Sequence, residues 1–165
     1  TLGRTVLISN YAEYHRLAAY LFRYTRKPIG LVMGIPTLRE LFETKYYVDL
    51  EGGILESFGR MFRHDLKVFV YPLLDRHTGA VVTAGNLRVA PALRHLYQYL
   101  IENQLVLSLK DVDETSLPIY SRDVLARLRA GDPTWEAMTP PEVADVIKRR
   151  ELLGYRAPVK AAEAA

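Results

Sequence analysis

The residues of this chain best suited to chemistry lie between Lys45 and Arg60, in the stretch Lys-Tyr-Tyr-Val-Asp-Leu-Glu-Gly-Gly-Ile-Leu-Glu-Ser-Phe-Gly-Arg. A lysine, two adjacent tyrosines and two carboxylates precede a glycine pair, and an apolar helical pattern (Ile54, Leu55, Phe58, Met61, Phe62) begins at once. A helix N-terminus offers unpaired N–H groups and a positive dipole end, and glycines there let an anion approach the backbone. On this reading Lys45, Gly52 and Gly53 hold a phosphate, Tyr46 or Tyr47 stacks on a base, and Asp49 or Glu51 binds a ribose hydroxyl. A structural reading stands beside it: Asp49 caps the helix, the glycines permit a turn, and the tyrosines close the edge of the core.

Such a loop needs a scaffold, and the flanking text supplies strand and helix patterns in alternation. Residues 4–9 (Arg-Thr-Val-Leu-Ile-Ser) read as a buried strand, with Asn10 as N-cap and Glu13 closing a capping box on the helix that follows. Residues 28–33 read as a second strand, Gly34 as a turn, and Pro36 as the first position of a helix carrying Leu38, Leu41 and Phe42. Residues 66–74 form a third, continuously apolar strand. A short strand or hairpin arm falls within 80–89, a helix starts at Pro91, and a last strand spans 105–109. Repeated strand–helix units imply parallel pairing, and hence a Rossmann-like three-layer α/β domain with a mainly parallel sheet and extra C-terminal helices.

In such a sheet ligands sit outside the carboxyl ends of the strands, where strand order reverses. Asn10, Gly34 and Thr37 are therefore candidate ligand residues, although short polar residues also suit any tight strand–helix turn. Neither Gly-x-Gly-x-x-Gly nor Gly-x-x-x-x-Gly-Lys-Ser/Thr occurs, so a standard dinucleotide fingerprint and a P-loop are excluded. The chain has no cysteine, which removes disulfides, thiolate zinc sites and thiol nucleophiles. His15, His64, His77 and His95 occur singly, without metal-ligand spacing, and no metal site is assigned. Asp111, Asp113 and Glu114 could bind magnesium through their carboxylates, but no other ligand is fixed by spacing and a solvated acidic loop is the stronger reading.

Two helices close the chain, one from Ser121 to a stop at Gly131, the other with Thr139 as cap, Glu142 closing a capping box, and Val143, Val146 and Ile147 facing inward. The segments Ile119-Tyr-Ser-Arg-Asp-Val-Leu-Ala-Arg and Met138-Thr-Pro-Pro-Glu-Val-Ala-Asp-Val-Ile resemble the C-terminal part of nicotinate or nicotinamide mononucleotide adenylyltransferases. The turn Val32-Met-Gly-Ile-Pro-Thr-Leu-Arg-Glu-Leu41 is similar to that family's central nucleotide-binding turn. Tyr120, Arg122 and Leu125 stand where the family has Ser, Thr and Arg, and its Gly-x-Phe-x-Pro-x-His-x-Gly-His signature is absent. The resemblance implies ATP or NMN with Mg as ligands and places Arg122 at a phosphate.

The 22 Lys and Arg are spread among 19 Asp and Glu, so charge alone does not indicate nucleic acid, and no apolar run is long enough to cross a bilayer. The expectation is a cytoplasmic, nucleotide- or phosphometabolite-binding domain over 1–156 with a disordered tail over 157–165. An opening without Met points to a C-terminal piece of a longer chain, whose missing part could carry catalysis. A second expectation, from the 11 tyrosines, is an association domain joining subunits or a neighbouring domain through tyrosine-bearing helices.

Overall fold

The computed structural model describes residues 5–156. The chain packs as two compact units, the first reaching Val112 and the second beginning at Asp113. The tail expected over 157–165 lies outside the described residues.

The first unit contains α1 (Tyr14–Leu21), β1 (Ile29–Gly34), α2 (Ile35–Leu41), α3 (Gly53–Met61), β2 (Leu66–Tyr71), β3 (Leu73–Leu74), β4 (Val81–Val82), α4 (Arg94–Glu102) and β5 (Val106–Ser108). β1, β2 and β5 form a parallel sheet in that order, with Ile29 opposite Leu66 and Val68 opposite Val106. The unit is thus a mixed α/β fold around a small parallel sheet, with helical connections between its strands. β3 and β4 pair antiparallel beside it, supplying the hairpin arm expected within 80–89.

Burial alternates along β2, with Leu66, Val68 and Val70 inside and Lys67, Phe69 and Tyr71 half-buried. The buried side meets Ile35, Leu38 and Leu41 of α2, Phe58 and Met61 of α3, and Tyr97 and Leu100 of α4 in one core. Phe42 packs edge-on against both Phe58 and Tyr97, each ring 5.1 Å away. Burial pushes the Tyr47 and Tyr97 phenols up to about 12. Each finds a backbone acceptor, Tyr47 donating to the Leu41 carbonyl at 2.7 Å and Tyr97 to that of Ala84.

Several local expectations are corrected. Residues 5–9 form no strand, and Val6, Leu7 and Ile8 are 80%, 65% and 93% exposed. A β-branched run becomes a strand only when a neighbouring strand takes its backbone hydrogen bonds, and none pairs with it among the described residues. Asn10 does not cap α1, whose N-cap is Glu13 with no side-chain cap bond. The three paired strands also run in sequential order, so the order reversal invoked to place a ligand between the turns at Asn10 and Gly34 does not occur among them.

The second unit contains α5 (Ser121–Ala130) and α6 (Pro141–Arg150), with a 3-10 segment over Pro133–Met138 between them. Leu128, Trp135, Ala144 and Ile147 form its core, and Val124 and Tyr155 pack on it. Gly131 ends α5 in the left-handed conformation, φ 71°, as a helix-stopping glycine should. The N-caps are Tyr120 and Pro140 rather than Ser121 and Thr139, and neither provides a side-chain cap. Val143, expected inside, is 48% exposed, while Ala144 takes the inward position.

Candidate functional site

Two clefts of the first unit stand out among the described residues. One, of about 440 Å³, is lined by Glu13 and Tyr14 at the start of α1, Thr37 and Glu40 of α2, Tyr46, Tyr47, and Ser57 of α3. It brings together two residues expected to bind ligand, Thr37 and Tyr46. Its titratable lining is two carboxylates and three tyrosines, which suits hydroxyl groups or a cation better than a phosphate.

The other expected residues fall elsewhere. Lys45 lies 3.8 Å from the Glu43 carboxylate and 5.1 Å from the Tyr46 ring centre. Asp49 is exposed and does not cap α3, whose N-cap is Gly52. The Gly52 amide donates to the Glu56 carboxylate at 2.9 Å, so the helix start reserved for a phosphate already holds an anion from its own chain. Glu56 in turn pairs with Arg60 at 2.5 Å. Gly53 is required by its backbone, φ +56°, since a Cβ there would meet nothing within 4 Å. Gly34 is the N-cap of α2. Asn10 is exposed outside any helix or strand, and Arg122 is exposed on α5 of the second unit.

The second cleft, of about 570 Å³, is lined by His15, Arg16, Phe22, Arg23, Arg26, Arg60, Arg63 and His64. α1 and the turn after it present Arg16, Arg23 and Arg26, and α3 with its C-terminal turn presents Arg60 and Arg63. The two helices pack on each other, so positions more than 40 residues apart face one opening. Arg16 is paired with Glu13 at 3.5 Å and Arg60 with Glu56. Arg23, Arg26 and Arg63 have no carboxylate within ion-pair distance among the described residues. Phe22 packs tilted against His64 with ring centres 4.6 Å apart, forming one wall of the cleft.

His15 is 5% exposed and its Nδ1 lies 3.1 Å from the Ser57 hydroxyl. Its Nε2 is buried with no hydrogen-bond partner, the one such side-chain atom found among the described residues. Burial depresses its pKa below the ordinary value; Glu13 opposes the effect, and Arg16 and Arg60 reinforce it. The imidazole is therefore neutral near pH 7.

Sequence reasoning passed over this cleft. Its trace was there: arginines at 16, 23 and 26 beside the apolar stripe of the first helix, and a second pair at 60 and 63. The acidic loop has a structural use, since the Asp113 carboxylate accepts from the Thr115 amide and hydroxyl at 2.9 and 2.6 Å. No group of three or more His, Cys, Asp and Glu that could hold a metal occurs among the described residues. Among them, too, no helix is long and apolar enough to cross a membrane. No protein-family model, curated protein or solved structure matches this chain.

Proposed function

We propose that the first unit binds a phosphorylated small molecule, such as a nucleotide or a sugar phosphate, and that its anionic end sits in the arginine cleft. One observation carries this reading: three arginines without a carboxylate partner converge on an opening of about 570 Å³, a size that admits a small ligand. Unpaired guanidinium groups repel one another, and their planar forks match phosphate oxygens. Parallel β1, β2 and β5 joined through helices support a Rossmann-like reading of the unit and keep a relation to nucleotidyltransferases in play.

Calorimetric titration with inorganic pyrophosphate, ATP and NMN, with and without Mg, tests it. Binding of at least one is expected, and Arg23→Ala and Arg63→Ala should each weaken it roughly tenfold. Equal binding by the double variant, or no binding of any phosphate compound, overturns the reading.

A second reading, as an association surface, rests on a different observation. Tyr11, Tyr20 and Tyr24 pack in succession as tilted ring pairs, with ring centres 5.4 and 5.2 Å apart, and Tyr24 is 75% exposed near one end of α1. Rigid rings with wet hydroxyls suit a protein interface. Light scattering across a wide concentration range decides it: a defined oligomer that Tyr24→Ala dissociates supports it, and a monomer throughout removes it.

A further inference from the structure

We propose that His15 is the innermost contact of the arginine cleft, donating from Nε2 to an oxygen of a phosphate that ends the ligand. The inference rests on the phosphate reading above and narrows its substrate class to a terminal phosphate or pyrophosphate, as opposed to a phosphodiester inside a nucleic acid strand.

A buried polar atom without a partner is costly, and native proteins keep very few. His15 Nε2 is such an atom, on a side chain that lines the cleft. Its other ring nitrogen is occupied by Ser57, itself 2% exposed. The Ser57 contact suits either tautomer; in the one that carries the ring proton on Nε2, the Ser57 hydroxyl donates to Nδ1 and the neutral imidazole is a hydrogen-bond donor in a cleft lined by five guanidinium groups. An anionic oxygen is the acceptor that this surrounding charge favours.

Depth decides which phosphate. Nε2 is screened from solvent, while the Arg16 and Arg60 side chains that share its cleft are 61% and 57% exposed. Long arginine stems swing aside at small cost, unlike backbone. A terminal phosphate has three free oxygens on a narrow end and can pass between them. A diester is tethered on both sides and reaches only the outer guanidinium groups, the usual mode of backbone binding.

The test uses nitrogen NMR of the whole chain with inorganic pyrophosphate. Saturating pyrophosphate should move the His15 Nε2 resonance. His15→Phe, which keeps the burial and removes the donor, should weaken pyrophosphate binding roughly tenfold. His15→Gln, whose amide can place a donor at similar reach, should stay within about threefold of the parent. Melting curves of both variants report folding, and the resonance in the parent protein stands even if a variant unfolds. Pyrophosphate that binds through Arg23 and Arg63 but leaves the Nε2 resonance unmoved overturns the role of His15 and leaves the phosphate reading intact. No pyrophosphate binding at all overturns the role of His15, and only if ATP and NMN also fail to bind does the phosphate reading fall with it. An oligonucleotide lacking terminal phosphates that moves the resonance as far as pyrophosphate does overturns the end-group assignment.

Discussion

Ser57 Oγ on α3 lies 3.1 Å from Nδ1 of His15 on α1, joining two buried polar groups 42 positions apart at the packed face of the two helices. Removing the hydroxyl leaves both imidazole nitrogens without a partner in a buried site. Ser57→Ala should therefore destabilise the first unit by about 1–3 kcal/mol, more than a buried serine-to-alanine change without such a partner. Urea unfolding of the two proteins measures it, and an unchanged midpoint would show that the hydrogen bond contributes nothing net.

The same imidazole sets a pH dependence. Its folded pKa lies below the ordinary 6.5 because burial disfavours the charged ring. As pH falls from 6.5, the unfolded chain takes up the proton before the folded one does, so stability rises with pH in that window. The contribution is fully present above 6.5 and is lost as pH drops through the folded value. Denaturant midpoints from pH 8 downward should show this loss before the carboxylates titrate, and His15→Gln should flatten it. An identical slope in the variant would assign the effect to another group.

Gly53 tests the glycine pair. At φ +56° an L side chain is strained although it meets no neighbour, so Gly53→Ala should cost about 1–2 kcal/mol through the backbone alone. Pyrophosphate affinity should not change, because the start of α3 already carries the Glu56 carboxylate. Lost affinity at unchanged stability would return the phosphate to the glycine pair.

Trp135 is the single tryptophan and is 1% exposed in the core of the second unit, so its fluorescence reports that unit alone. Leu128→Ala opens a cavity in that core and should lower its stability by about 2–5 kcal/mol. Emission should redden at lower urea, while far-ultraviolet circular dichroism keeps the first unit's transition where it was. A single transition shifted in both probes would show the two units unfolding together.

What the sequence by itself determined is the set of elements whose pattern and termini are local. The apolar runs near Ile29, Leu66 and Val106 became the parallel strands, because each is short, largely apolar and separated from the next by helical text. Gly131 stopped its helix, because φ 71° is a position that glycine takes without strain. Thr37 and Tyr46 reached one cleft because both lie just after apolar elements that the core holds in place. Only the tertiary structure decided the rest. The run Val6–Ile8 has strand propensity but no strand beside it, and propensity cannot supply hydrogen-bond partners. The glycine pair kept its helix start, and the Gly52 amide there is taken by the Glu56 carboxylate, a side chain one turn onward that reaches back to it. The arginine cleft exists because α1 packs on α3, an association between distant segments whose charges look like ordinary solvated faces when each is read alone.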